Sequence, residues 1–150
     1  MPVKLIKTAF SSCPNDTFIF HAMINELVDT MSLKFSPYIS DVERLNGGAF
    51  KERFDTTKLS FYAYLLLKDK YTLLESGAAL GYGAGPLLIS KGPVKNIEKA
   101  RIAIPGKYTT AHLLLKLWNP KIKNVKEMAF HEIIGAVAGG RCDAGVIIHE

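Results

Sequence analysis

Four short polar segments interrupt an otherwise apolar chain, and each holds side chains able to do chemistry on a small molecule. SSCPNDTF, at residues 11–18, brings hydroxyl, thiol, amide and carboxylate groups together; Asn15 and Asp16 suit a polar ligand. The N–H groups that open a following helix could share that ligand, or the same side chains could simply cap the helix, with Cys13 as a small buried apolar group. Lys58, Leu59 and Ser60 form the second segment, with an ammonium for a carboxylate and a hydroxyl donor; a solvated turn lysine is the plainer alternative. The third, GKYTT at residues 106–110, places Thr109 and Thr110 where a helix dipole favours an anion, or where a threonine merely caps. The fourth is His149-Glu150, after the apolar run AGVII. An imidazole titrates at about pH 6.5 when unperturbed, which suits a general base. His21, His112 and His131 fall on helical patterns and read as structural.

These segments need elements to position them. KLIKTAF (4–10) alternates like a strand, Pro14 suits the first position of a helix, and residues 17–28 are apolar on most faces, as a buried helix would be. LKFSPYIS (33–40) reads as a strand, Asp41 as the cap of a short helix reaching Arg53, and TTKLSF as a short strand or turn before a helix to Leu67. YTLLESGAAL and PLLISKG are further strand candidates around a glycine-rich stretch at 81–85. After Pro93 the pattern restarts: Asn96 caps a turn, RIAIPG is a strand, and residues 109–118 are a helix. NVKEMAF is a strand, 131–139 a helix, and DAGVIIHE a strand. Strands alternating with helices predict an α/β protein with parallel-rich sheets, whose ligands bind at the carboxyl ends of the strands.

Composition narrows the function classes. With 48% hydrophobic and 22% charged residues the chain is an ordinary globular sequence, and no apolar run reaches the roughly 18 residues of a membrane helix. The first residues do not form a signal peptide, which predicts a cytoplasmic protein. Cys13 and Cys142 lie far apart without a histidine cluster, so neither a metal site nor a disulfide is expected. Residues 94–126 hold eight basic side chains and one acidic one, but aromatic residues are not interleaved with the lysines as a stacking platform would require. A nucleic-acid partner is therefore not expected.

In their order along the chain, SSCPNDTFIFHA, DTTKLSF, ALGYGAGPL, YTTAHLLL and CDAGVIIHE resemble the 1,4-dihydroxy-6-naphthoate synthase family of the futalosine route to menaquinone. The resemblance runs from residue 4 to residue 150, with Ser12 where a proline is expected. It implies a type II periplasmic-binding-protein-like fold, two α/β lobes joined by crossovers with substrate in the cleft. It implies a lyase acting without metal or organic cofactor on a small-molecule carboxylate, cyclic dehypoxanthinyl futalosine, to give 1,4-dihydroxy-6-naphthoate and dihydroxyacetone. His149 is then the proton acceptor, and Lys58, Leu59, Ser60, Thr109 and Thr110 contact substrate, with Asn15 and Asp16 orienting its hydroxyls. The expected lobes are residues 1–92 and 93–150, each incomplete because the family's chains are longer and the return crossover is missing. Exposed strand edges and little activity from the 150-residue chain alone are expected on that basis. The alternatives are a solute-binding protein of the same fold, which captures a small anion without transforming it, and the related chorismate dehydratase.

Overall fold

The computed structural model describes residues 4–148, which form two compact units by their internal contacts, divided between residues 79 and 80. The first unit is built on a three-stranded parallel sheet in the order β2-β1-β3, with β1 at Lys4–Phe10, β2 at Leu33–Ile39 and β3 at Thr56–Thr57. All seven residues of β1 pair in register with β2, from Lys4 opposite Leu33 to Phe10 opposite Ile39. Because the strands are parallel, the turns after β1 and β3 emerge at one edge of the sheet. Helix α1 (Pro14–Ile24) follows β1, α2 (Val42–Phe50) follows β2, and α3 (Phe61–Leu67) follows β3. Ile6, Phe10, Leu45, Ala49, Ala63 and Leu67 are buried in this unit.

The predicted caps form as expected. Pro14 is the first residue of α1, where its missing N–H needs no partner, and the Asp41 carboxylate accepts the Arg44 N–H at the start of α2. Helix α1 departs from expectation in its burial: Asp16 is its one buried residue and Phe18 is 85% exposed. A helix apolar all round has no stripe that selects a packing side, so composition did not reveal which face is covered. Phe20 does stack on Phe10, 4.7 Å between ring centroids. The strand expected over YTLLESGAAL does not form. Gly77 sits there at φ +80°, outside the extended region, and its carbonyl is taken by the Lys58 ammonium.

The second unit has a four-stranded sheet in the order β4-β7-β5-β6. β4 (Leu87–Ser90) runs antiparallel to β7 (Ala144–Ile147), while β5 (Ile102–Ile104) is parallel to both β7 and β6 (Val125–Glu127). This ladder makes Leu87–Ser90 part of the second unit, whereas the sequence placed residues up to 92 in the first; the pairing of β4 with a strand more than 50 residues later has no local signal. Alternation puts Ile102, Ile104, Ala144 and Val146 against α4 (Thr110–Trp118), with Leu115 and Ile122. Ala103 and Cys142 face the other way, toward Ile133, Ala136 and Val137 of α5 (Ile133–Ala138), which follows a 3₁₀ turn at Phe130–Glu132. Gly145 is required where α5 crosses: a Cβ there would lie 2.5 Å from an Ile133 methyl and 3.0 Å from one of Val137.

Arg101 and Asp143 tie the starts of β5 and β7 together. The guanidinium donates to both carboxylate oxygens, at 2.7 and 3.1 Å, and the Arg101 backbone N–H donates to Oδ2 at 2.8 Å. The hydrogen bonds from the Arg101 side chain, and then its backbone, hold the Asp143 carboxyl down to about 2 from an ordinary 3.8. A depressed folded-state value means that the pair's contribution is complete above about pH 4 and is lost as the pH falls through 2. Replacing Asp143 by asparagine should flatten the melting temperature across that window. Identical acid profiles for the two proteins would contradict this role.

Candidate functional site

In the first unit, the segments flagged in the sequence meet at the carboxyl ends of β1 and β3. The chain turns sharply after Phe10, and Cys13 takes the N-cap position of α1, its Sγ accepting the Asp16 N–H at 3.5 Å. Asp16 lies one turn into the helix and points back into the protein. Its Oδ2 accepts from the Ser11 N–H at 3.0 Å and the Ser11 hydroxyl at 2.8 Å, and its Oδ1 faces the Lys58 ammonium at 3.3 Å. Lys58 is anchored from β1 by its own N–H, which donates to the Ala9 carbonyl at 2.7 Å, and its Nζ donates to the Gly77 carbonyl at 2.8 Å. Asp16 is 5% exposed, so its charge is supported by three donors rather than by water. Lys58 is thus not a solvated turn lysine: the carboxylate it pairs with is the protein's own. Asn15, the preceding residue, is exposed.

The next two residues, Leu59 and Ser60, are half-buried. Ser60 occupies the N-cap position of α3 in extended conformation, yet its side chain makes no capping hydrogen bond. It is engaged by Asn46 of α2: the Ser60 N–H donates to Asn46 Oδ1 at 3.1 Å, and Asn46 Nδ2 donates to Ser60 Oγ at 3.2 Å. Asn46 is not among the residues that sequence pattern singles out. Its one local signal was an asparagine, a poor helix former, in a helix interior beside two glycines.

In the second unit the GKYTT segment forms the turn between β5 and α4. Thr109 is buried as the N-cap: its hydroxyl donates to the Gly106 carbonyl at 2.8 Å and accepts the His112 N–H at 3.3 Å. His112 Nδ1 pairs with the Lys107 carbonyl at 2.8 Å, and the Lys107 N–H donates to Glu127 at the end of β6. The hydroxyl proton of Thr109 is therefore committed to building the turn, and Thr110, the first helical residue, is half-buried. Thr109→Val should lower the stability of this unit by about 1–2 kcal/mol in denaturant titrations, the usual loss for a threonine cap, while Thr109→Ser should retain it. His149 and Glu150 lie outside the described residues. Among the described residues, no group of three or more His, Cys, Asp and Glu side chains could hold a metal ion, and no helix is long and apolar enough to cross a membrane.

The sequence model of the menaquinone biosynthesis family matches residues 6–150. The chain belongs to this family. Among its curated relatives, a 1,4-dihydroxy-6-naphthoate synthase of Thermus thermophilus is 43% identical over 148 residues, which is 99% of this chain and 54% of that protein. A protein of the same name from Streptomyces coelicolor is 34% identical over 158 aligned residues, spanning 100% of this chain and 55% of its own length. The chain thus spans about half the length of the family members it matches. A crystal structure of a protein from Archaeoglobus fulgidus superposes with a TM-score of 0.90 at 42% identity, covering 97% of this chain and 54% of that one. The alkanesulfonate-binding protein of Xanthomonas axonopodis shares the fold at a TM-score of 0.68 with 15% identity, over 99% of this chain and 55% of its own. The architecture of this family member is therefore periplasmic-binding-protein-like, as the resemblance implied.

Proposed function

We propose that the protein is a cytoplasmic lyase of menaquinone biosynthesis that converts cyclic dehypoxanthinyl futalosine into 1,4-dihydroxy-6-naphthoate and dihydroxyacetone. The observation that carries this is the 43% identity with a 1,4-dihydroxy-6-naphthoate synthase across 99% of the chain. The site chemistry agrees with it. Opening a spiro-fused sugar ring and breaking a carbon–carbon bond need a base for a proton and donors for the developing enolate, and neither task calls for a metal or organic cofactor. His149 is the base. The Lys58-Leu59-Ser60 turn, with the Ser60 hydroxyl as donor, and the Thr109-Thr110 turn are the substrate-contacting segments that the family resemblance implies, and Asn15 meets the sugar hydroxyls. Asp16, buried against Lys58, acts as a positioning group for the lysine.

Incubating the full-length protein with cyclic dehypoxanthinyl futalosine, and following the naphthoate and dihydroxyacetone by mass, tests the assignment. Stoichiometric appearance of both products is expected. Saturable binding of the compound without product would favour the solute-binding alternative instead, and neither binding nor product would remove both.

A further inference from the structure

We infer that Asn46 is a positioning residue that sets the polarity of the Ser60 hydroxyl, so that its proton is offered to an anionic oxygen of the substrate. The inference rests on the function proposed above. Asn46 is fully buried in α2 and reaches across to the turn before α3. The orientation of its amide is fixed by an unambiguous partner: the Ser60 backbone N–H can only donate, so Oδ1 must face it. Nδ2 then has two hydrogens to place, and two acceptors stand in reach, Ser60 Oγ at 3.2 Å and Glu43 Oε2 at 3.1 Å. An amide NH₂ can only donate, so Ser60 Oγ is the acceptor in this bond and its own hydrogen is left to be given elsewhere.

The second observation is the missing cap. A serine at an N-cap ordinarily accepts a backbone N–H from the first turn of its helix, and Ser60 does not, although its backbone has the extended N-cap conformation. Helix stability alone would favour the cap. Holding Ser60 Oγ away from the helix and against a buried amide forgoes it, and what results is a half-buried hydroxyl of defined polarity beside the Lys58–Asp16 pair. That arrangement leaves the Ser60 proton for a carboxylate or developing oxyanion, with one lone pair of Oγ still open.

Asn46→Asp tests this with little change of volume. A carboxylate at that position would still accept the Ser60 N–H, but it would take the Ser60 proton as well and reverse the hydroxyl. In the full-length protein acting on cyclic dehypoxanthinyl futalosine, Asn46→Asp and Ser60→Ala should each raise KM about tenfold or more, the usual loss of a hydrogen bond to a charged group, with kcat changed less. In the Ser60→Ala background, adding Asn46→Asp should change KM by less than about twofold, because its effect runs through the hydroxyl. Should Asn46→Asp fail to fold, Ser60→Ala against Ser60→Thr decides: a tenfold loss restored by threonine is expected. Independent, multiplying effects of the two substitutions, or an unchanged KM in Ser60→Ala, would overturn the inference while leaving the proposed function standing. A wild-type protein inactive on that substrate would overturn both.

Discussion

Replacing His149 by alanine or asparagine in the full-length protein is expected to lower turnover of cyclic dehypoxanthinyl futalosine by about 10²–10⁴-fold while leaving substrate affinity within about tenfold. The expectation comes from the residue's type and its place in the sequence, directly after the strand Ala144–Ile147 and Ile148, where α/β sheets present reactive groups. A base is used in the transition state more than in the ground state, so its removal should appear in kcat with little change in binding. The pH profile supplies a second readout. With a neutral imidazole as base, wild-type kcat should rise with pH through the range where imidazole loses its proton, and this limb should vanish in both variants. Single-turnover rates and equilibrium titration with the substrate separate the two effects. Near-wild-type turnover in either variant would remove His149 from the chemistry.

What could be read from the sequence divides along lines of range. Caps and strand–turn–helix junctions are local, and Pro14, Asp41, Asn96 and Thr109 stand where local rules place them. Short apolar runs likewise mark Ile102–Ile104 and Ala144–Ile147 as strands, because both faces of their sheet are covered. The partnerships that organise the candidate site are different. Asp16 meets Lys58 across 42 positions of chain and Asn46 meets Ser60 across 14, so no window of sequence contains either pair. Type and position single out Asp16, Lys58 and Ser60 as polar groups at strand ends, but nothing local shows that the lysine and the aspartate pair with each other. The burial of α1 failed for another reason. An all-round apolar helix states that something covers it without stating where, and in the described residues most of Phe18 meets no cover.

Removing one member of the Asp16–Lys58 pair should destabilise the first unit substantially, and removing both should cost less than the two losses added. In Lys58→Met the carboxylate stays buried at 5% exposure with only the two Ser11 donors, so a charge loses its counter-ion where water cannot replace it. Breaking a fully buried pair costs about 3–5 kcal/mol. The Lys58 side chain is 21% exposed and the Ser11 bonds persist, which brings the expected loss down to about 2–3 kcal/mol. Asp16→Asn is milder, at about 1–2 kcal/mol, because the ammonium keeps the Gly77 carbonyl and some water. The double variant replaces two charges by groups of similar size, and its loss should fall below the sum of the single losses by about 1–2 kcal/mol. Urea unfolding of all four proteins, followed by a probe in the first unit, measures the cycle. Additive losses would mean that the ammonium and carboxylate are neighbours without coupling. Lys58 would then be free to serve a ligand's carboxylate, and the substrate, not Asp16, would be its partner in function.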